Sequence, residues 1–398
     1  MSRRNGLPSL GVALGAAAAG AVLGVAAERL AVGRPLLPQR PEPRPRVALG
    51  SIRGQRRVVK ADDGTRLHVE VDEPDEPDPD GLTIVFCHGY ALNLDSWHYQ
   101  REALRGTFRL VFWDQRGHGR SERGPKGSAT IDQVGCDLES VIRAAAPTGP
   151  LVLVGHSMGG MTVMSLAAHS PELFAARVIG VALVATSAGN LADVDLGMKV
   201  FGKTFQKLAP KALGLLAGYP SLVERSRSIG SDLEQVLVRR YSYSSEVSDE
   251  LVDFTARMIA STRIEVINDY FPTFGAHDKA EALATMAGIE TLVLVGDSDL
   301  LTPVKHSADI VRRLPHAEHV VVADGGHLVM LEHSEVVTPH LVALVDRARR
   351  AARTDRTESG QRSGETQTGR TESGRTEVAR PQSGRTVGAA RRSPRKAS

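Results

Sequence analysis

Short apolar runs separated by helical patterns dominate the middle of this 398-residue chain. Six runs are apolar at successive positions rather than at alternate ones, which is typical of strands buried on both faces of a sheet. They are Leu82–Cys87, Arg109–Asp114, Leu151–Gly155, Val178–Val184, Thr291–Gly296 and His319–Ala323. Helical periodicity separates them around residues 97–105, 130–146, 158–169, 303–313 and 333–350. The alternation predicts an α/β domain over residues 55–350, with a mainly parallel sheet covered by helices on both faces.

Two further segments belong to the same predicted domain. Arg56–Ala61 and Thr65–Val71 flank Asp62-Asp63-Gly64, which is a hairpin signal ahead of the first buried strand. Residues 187–288 lie between the fourth and fifth runs and have helical periodicity. We therefore expect a β-hairpin at the start of the domain and a helical insertion in its second half.

The beginning of the chain has the pattern of a membrane anchor or an export signal. Residues 7–27 carry no charge and consist mainly of Ala, Leu, Gly and Val. As a helix, such a segment is long enough to cross a bilayer. Residues 1–33 are therefore expected to anchor the protein in a membrane or, because Arg3-Arg4 suits the twin-arginine type, to export it. A surface helix is the third alternative, and a cytoplasmic location is the less favoured one.

Two polar segments flank the predicted domain. Residues 34–54 are rich in Pro and Arg and predict a stiff linker. Residues 351–398 lack apolar periodicity and repeat the motif Arg-Thr-Glu-Ser-Gly at 356–360 and 370–374. Such low complexity predicts a disordered, basic tail.

The net charge of +3 is an average over unlike parts of the chain. Residues 1–46 carry +5 and residues 351–398 carry +6, so that the middle carries −8. An acidic body argues against a nucleic-acid-binding core, and no nucleic-acid partner is expected. Two cysteines are too few for a disulfide scaffold or a zinc cluster. With no phosphate-binding loop and no metal-ligand spacing, we predict neither a cofactor nor a metal.

Polar clusters follow the predicted strands, at the sheet edge where α/β proteins place their sites. Gly155-His-Ser-Met-Gly159 joins the third buried strand to an apolar helix. A G-x-S-x-G sequence in this context is a nucleophile elbow, in which glycines let neighbouring backbones approach a serine on a sharp turn. Ser157 is therefore the predicted nucleophile.

A serine hydroxyl needs a base, and the base needs an orienting carboxylate. In elbows of this kind the chain order is Ser, then Asp or Glu, then His. Asp299 and His327 follow the fifth and sixth strands and are the predicted partners; Asp297 competes with Asp299 but lies closer to the strand end. The backbone N–H groups of Tyr90 and Met158 are predicted to form the oxyanion hole.

Together these motifs resemble the α/β-hydrolase fold family, in its serine-nucleophile branch of esterases and lipases. The resemblance covers roughly residues 55–350. It rests on His88-Gly89 with Trp97, Asp114-x-Arg116-Gly117-His118-Gly119-x-Ser121, Gly155-His-Ser157-Met-Gly159-Gly160, Gly296-x-x-Asp299-x-x-x-Pro303 and Gly326-His327. It implies that residues 187–288 form a helical cap over the serine, and that the Asp114–Ser121 segment is structural.

The resemblance also implies a hydrolase that cleaves a carboxylic ester through an acyl-enzyme. Thioester hydrolysis, C–C hydrolysis and perhydrolase or haloperoxidase-type reactions use the same three residues and stay open, as does a non-catalytic binding protein. Nine of the 17 aromatic residues lie within 187–288. This enrichment favours a small-molecule ester with an apolar moiety, unless the rings form the cap's own core. Membrane contact is expected through residues 7–27, and a basic tail such as residues 351–398 more commonly only solvates the chain than touches anionic lipid or nucleic acid.

Overall fold

The computed structural model describes residues 47–191 and 231–368. The predicted anchor or signal, residues 34–46 of the linker, part of the predicted cap and residues 369–398 of the tail lie outside these ranges. The chain divides at Ala351 into two compact units, and the sheet belongs to the first. Within the described ranges, none of the helices is both long enough and apolar enough to cross a membrane.

Eight strands form a single mixed sheet in the described part of the chain. They are β1 (Gln55–Lys60), β2 (Arg66–Asp72), β3 (Thr83–Cys87), β4 (Arg109–Trp113), β5 (Leu151–His156), β6 (Val178–Val184), β7 (Glu290–Gly296) and β8 (Glu318–Val322). The order is β1-β2-β4-β3-β5-β6-β7-β8. β2 pairs antiparallel with β1 and β4, and every other pair is parallel. The predicted hairpin and mainly parallel sheet are confirmed.

Helices cover both faces of the sheet. The described α-helices are α1 (His98–Leu104), α2 (Ile131–Ala145), α3 (Met158–His169), α4 (Pro171–Arg177), α5 (Ser231–Ser242), α6 (Asp249–Ser261), α7 (Ile264–Ala276), α8 (Val304–Arg313), α9 (Val329–Glu332) and α10 (Ser334–Thr368). Successive side chains of a strand enter opposite cores. Ile84 and Phe86 of β3 join the core that includes residues of α1, α6 and α10. Val85 and Cys87 join the core that includes residues of α2, α3 and α8.

The prediction that the sixth run is buried on both faces is wrong for β8. Its residues alternate in exposure, and Val321 is 45% exposed. β8 pairs only with β7 and lies at the edge of the sheet. Because the sheet ends at β8, layers that cover the central strands need not extend over both faces of this strand. An apolar run at the edge can therefore have exposed positions.

The last helix is longer than the sequence pattern predicts. α10 continues to Thr368, so residues 351–368, predicted to be disordered, are helical in the structure. The apolar positions that predicted a helix end at Ala348, which is fully buried. Beyond it, Ala, Arg, Glu and Gln favour helix without supplying an apolar face. Neither the missing apolar face nor the repeated motif, on which the prediction of disorder rests, excludes a helix that extends from a packed one.

The strand order reverses between β3 and β5. At such a point the loops that follow the two strands turn towards opposite faces of the sheet and leave a crevice between them. These are the loops that carry Tyr90 and Ser157. The topology therefore places the predicted oxyanion loop beside the predicted nucleophile.

Candidate active site

Ser157 lies in a strained turn between β5 and α3. Its φ of 51° and ψ of −117° belong to a region that side chains other than glycine rarely adopt. A Cβ atom on Gly155 would collide with the carbonyl oxygen of Gly159, and one on Gly159 would collide with that of Cys87. These close approaches agree with the role that the sequence predicts for the two glycines.

The hydroxyl of Ser157 is unengaged in the described part of the protein. The backbone of this residue is held firmly, because its N–H donates to the carbonyl of Val184 at 3.0 Å and its carbonyl accepts from Thr186 Oγ1 at 2.7 Å. The Oγ atom has no hydrogen-bond partner among the described residues. It stands at the N-terminus of α3, where the helix dipole favours negative charge. The turn therefore presents a fixed, free hydroxyl.

The structure brings Asp299 and His327 together. His327 Nδ1 lies 2.9 Å from Asp299 Oδ2. The same carboxylate accepts hydrogen bonds from the N–H groups of Leu301 and Thr302 at 2.8 and 2.9 Å, and from Thr302 Oγ1 at 2.7 Å. Burial raises the pKa of Asp299, but the charge of His327 and these hydrogen bonds outweigh it and hold the pKa below its usual value. Asp299 is therefore an ionised acceptor that fixes the ring of His327.

The competing carboxylate, Asp297, lies elsewhere. Its side chain is exposed, and its Oδ1 accepts from the hydroxyl of Ser298 at 2.8 Å. Its backbone N–H continues the sheet by donating to Val322 at 2.9 Å. The geometry agrees with the preference for Asp299.

The loop after β3 packs directly against the turn that carries Ser157. A Cβ atom on Gly89 would lie 3.3 Å from the Cβ of Ser157, so the backbone of this loop closely approaches the serine. The N–H groups of Tyr90 and Met158 donate to no group in the described residues. One unused backbone donor thus follows Ser157 directly and the other lies in the loop that packs against the serine, which is compatible with the oxyanion hole that the sequence predicts.

A polar network that the sequence did not reveal holds this loop. The Nδ1 atom of His88 lies 2.7 Å from the carbonyl of Gly89, and its Nε2 accepts from the N–H of Gln115 at 2.9 Å. Gln115 Nε2 donates to the carbonyl of His88 at 2.5 Å, and Thr162 Oγ1 donates to Gln115 Oε1 at 2.7 Å. Burial lowers the pKa of His88 well below its usual value, so the ring stays neutral. No sequence motif pairs Gln115 with Thr162.

The Asp114–Ser121 segment has structural partners. Arg116 forms a buried two-contact ion pair with Asp137, at 2.6 and 2.5 Å. Asp114 accepts from the N–H groups of Leu94 and Arg120 at 2.8 and 2.9 Å. None of these contacts is to Ser157, Asp299 or His327, which agrees with the structural role expected of the segment.

Aromatic side chains of the inserted helices pack in two separate apolar clusters. Tyr243 and Phe254 belong to the main core. Tyr270 and Phe274 of α7 instead belong to a separate apolar cluster with Met158 and Tyr90, and the rings of Tyr90 and Phe274 lie 5.0 Å apart. The remaining aromatic residues of the predicted cap include Phe201, Phe205 and Tyr219, which lie outside the described residues. Some of the described rings thus fill a core, and others pack against Tyr90 in the loop after β3.

Two buried histidines next to the site make the fold sensitive to acid. Burial lowers the pKa of His156 to about 3 and that of His118 to about 4, against 6.5 for the exposed side chain. Between pH 6.5 and 4 the unfolded chain therefore binds protons that the folded chain does not. The free energy of unfolding should fall with falling pH by about 1.4 kcal/mol per pH unit for each histidine.

Urea unfolding at pH 7, 6, 5 and 4.5 measures this slope. His118→Asn is the matched variant, because Asn does not titrate and can still donate to the carbonyl of Arg116 that His118 Nδ1 contacts at 3.0 Å. The variant should show a slope smaller by about 1.4 kcal/mol per pH unit. An unchanged slope would show that His118 takes up its proton in the folded protein at the same pH as in the unfolded chain, so that burial does not lower its pKa.

A sequence model of the alpha/beta hydrolase fold family matches residues 83–334. The matched region includes the strand β3, the elbow and both triad partners that the sequence predicts. The chain therefore belongs to the alpha/beta hydrolase fold family, and the sheet and helices described above are those of that fold.

Individual proteins that resemble the chain have different names. It is 26% identical over 274 residues to the dihydrolipoyllysine-residue acetyltransferase component of the acetoin cleaving system of Pseudomonas putida, covering 67% of this chain and 64% of that protein. The chain thus spans less than two thirds of that relative. It is 32% identical over 144 residues to a monoacylglycerol lipase of Mycolicibacterium smegmatis, covering 35% of this chain and 51% of the lipase.

A similar fold occurs in a thermophilic esterase from Thermogutta terrifontis, solved with malate bound. The TM-score is 0.59 and the sequences are 24% identical, with 74% of this chain and 99% of the esterase covered. The names of these relatives describe different reactions. Family membership therefore establishes the fold. The kind of bond that the protein cleaves has to be inferred from the residues of the site.

Proposed function

We propose that this protein is a serine hydrolase that cleaves carboxylic esters through an acyl-enzyme intermediate. The observation that carries the proposal is the 2.9 Å contact between His327 Nδ1 and the buried Asp299 carboxylate. The loop of His327 meets the turn of Ser157, because Nε2 of His156, the residue before the serine, lies 3.0 Å from the carbonyl oxygen of His327. Ser157, His327 and Asp299 have the chemistry of nucleophile, base and orienting acid.

In the first half-reaction, Ser157 Oγ attacks the carbonyl carbon of the ester while His327 Nε2 takes its proton. Asp299 accepts the Nδ1–H hydrogen bond, which leaves the Nε2 lone pair free and stabilises the imidazolium that forms. The N–H groups of Tyr90 and Met158 donate to the developing oxyanion. Collapse of the tetrahedral intermediate breaks the carbon–oxygen bond, and the alcohol leaves with the proton from His327.

In the second half-reaction, water replaces the alcohol. His327 removes a proton from the water as it attacks the acyl carbon of the Ser157 ester. The second tetrahedral intermediate then releases the carboxylic acid, and Ser157 regains its proton. No external oxidant, metal or cofactor is consumed in either step.

Two observations support an ester with an apolar moiety as the substrate. The monoacylglycerol lipase that resembles part of this chain is named for ester cleavage. In addition, the apolar cluster of Tyr90, Met158, Tyr270 and Phe274 includes both residues whose N–H groups are assigned to the oxyanion hole. An acyl group held beside this cluster would be in contact with hydrocarbon and aromatic surface.

A fluorophosphonate probe tests the nucleophile. The full-length protein should be labelled covalently, and Ser157→Ala should not be. Ser140→Ala is the matched control, because Ser140 lies on α2 with its hydroxyl bonded to the carbonyl of Cys136 at 3.1 Å. Failure of the folded wild-type protein to react, or equal labelling of the Ser157→Ala variant, would remove the proposal and favour a binding protein.

Hydrolysis of p-nitrophenyl esters of increasing acyl length then tests the substrate class. We expect kcat/KM to rise from acetate to longer chains, by about fourfold for each added methylene group that the apolar cluster covers. If the protein reacts with the probe but hydrolyses none of these esters, Ser157 remains the proposed nucleophile and the assignment of esters as substrates is wrong.

A further inference from the structure

Glu332 is a buried carboxylate that the proposed reaction does not use. It ends α9 and is only 3% exposed. In the described part of the chain it forms no ion pair with a Lys or Arg side chain. Burying an uncompensated charge of this kind is costly unless hydrogen bonds replace the lost water. The hydrogen-bond partners of Glu332 therefore indicate the role of its carboxylate.

Four hydrogen bonds satisfy this carboxylate, and they come from two separate parts of the chain. Oε2 accepts from the N–H of Gly326 at 2.5 Å. Oε1 accepts from the N–H groups of Ser244 and Ser245 at 2.7 and 2.5 Å, and from Ser245 Oγ at 2.7 Å. Gly326 directly precedes His327, whereas Ser244 and Ser245 follow α5 in the insertion between β6 and β7. One side chain thus joins the insertion to the histidine loop.

Further contacts join the same two segments. The N–H of Leu328, directly after His327, donates to the carbonyl of Ser242 at 2.8 Å. A Cβ atom on Gly326 would lie 2.7 Å from the same carbonyl oxygen. Both chain neighbours of His327 are therefore held against residues 242–245. Glu332 is the charged member of this contact.

The carbonyl of His327 is held from a third direction. His156 Nε2 lies 3.0 Å from it and donates to it. Together with the Asp299 contact at Nδ1, these bonds fix both the backbone and the ring of His327. The position of Nε2, which must receive the serine proton, follows from them. Releasing Gly326 would let the backbone of the histidine shift while Asp299 still holds the ring.

We propose that Glu332 is a positioning residue that couples residues 242–245 of the insertion to the triad histidine. This inference rests on the proposed serine-hydrolase function. The base is fully placed only when residues 242–245 are docked, and the Glu332 carboxylate transmits a displacement of these residues to the backbone of Gly326 beside His327.

Glu332→Gln breaks this coupling at nearly constant size. Every partner of Glu332 is a donor, so a carboxylate serves both sides of the contact. An amide has one accepting oxygen, and its NH₂ group must face an N–H donor on one side or the other. The substitution therefore detaches either Gly326 or the Ser244–Ser245 pair.

The experiment is stopped-flow labelling of the full-length protein with a fluorophosphonate, analysed for the rate constant of bond formation and for the binding constant of the probe. In Glu332→Gln the rate constant should fall by about 10- to 100-fold, the cost of a catalytic group displaced by about an ångström, while probe binding stays within twofold. A substitution that only leaves part of the protein misfolded lowers the fraction labelled at completion and leaves the rate constant of the folded fraction unchanged.

Glu318→Gln is the matched control. Glu318 is a half-buried carboxylate at the start of β8, at the opposite end of the strand from the site, and it contacts His340 at 2.8 Å and Arg347 at 2.6 Å. The rate constant of bond formation in Glu318→Gln should equal that of the wild-type protein. A fall of the same size in Glu318→Gln would mean that any lost carboxylate in this region slows the reaction, which overturns the assignment.

The outcomes separate this inference from the function on which it rests. If the wild-type protein is not labelled, both fail. If the wild-type protein and Glu332→Gln react at the same rate, the function stands and the inference fails. Should Glu332→Gln not fold, Ser245→Ala decides, because it removes one hydroxyl donor and leaves three hydrogen bonds. We expect a fall of about threefold in its rate constant, and an unchanged value would overturn the coupling.

Discussion

Replacing Ser157 by glycine should abolish turnover and at the same time make the folded protein more stable. Removal of the nucleophile should lower kcat by about 10⁵- to 10⁶-fold, as expected when one member of a triad is lost. The backbone of Ser157, with φ at 51° and ψ at −117°, stores strain of about 1–3 kcal/mol that glycine does not have. Glycine costs about 0.5–1 kcal/mol in unfolded-state entropy, which is less. The free energy of unfolding should therefore rise by about 1 kcal/mol.

Ser157→Ala separates the two effects. It removes the same hydroxyl, which has no partner in the described residues, but it keeps the Cβ atom in the strained turn. Ester hydrolysis should vanish in both variants, whereas urea unfolding should show the gain in stability only for glycine. If Ser157→Gly proves less stable than Ser157→Ala, the strain is not stored at this residue.

Replacing Asp299 by asparagine should slow the reaction by about 10⁴-fold. The carboxylate accepts from four donors: His327 Nδ1, Thr302 Oγ1 and two backbone N–H groups. An asparagine NH₂ group facing His327 would require Nδ1 to become the acceptor. The ring proton would then move to Nε2, which could no longer take a proton from Ser157. The other amide orientation places NH₂ against the N–H groups of Leu301 and Thr302 and destabilises the loop.

Steady-state hydrolysis of a p-nitrophenyl ester measures this loss, and Asp297→Asn is its control. Asp297 is exposed, and within the described part of the chain its side chain accepts a hydrogen bond only from Ser298. Its replacement should leave kcat within about twofold of the wild-type value, as expected for an exposed position. The reverse result, a large loss for Asp297→Asn and a small one for Asp299→Asn, would transfer the orienting role to Asp297.

The sequence predicts the elements of this site whose causes are local. The elbow needs glycines two residues before and two after Ser157, and this requirement is visible in five consecutive letters. The apolar runs of β3, β5 and β7 predict buried parallel strands, and such strands place the residues that follow them at one edge of the sheet. Asp299 and His327 could be selected for that reason.

The contacts that hold the site in place depend on residues far apart in the chain. Gln115 meets Thr162 across 47 positions, and Glu332 meets Ser244 and Ser245 across 88 and 87. A glutamate followed by a histidine, as in Glu332-His333, looks like any helix end in a sequence. Only the packing of the insertion against the histidine loop shows that its carboxylate is buried and shared. The exposure of β8 is equally non-local, since it depends on where the sheet ends.

The bond from His156 to the carbonyl of His327 spans 171 positions of the chain. The elbow needs only β5, α3 and their neighbours, whereas the base is in place only after β7 and β8 have joined the sheet. A refolding chain should therefore acquire its strained serine before it acquires any means of activating it. Catalytic competence is then a late event in folding, and recovery of probe labelling reports completion of the sheet rather than its nucleation.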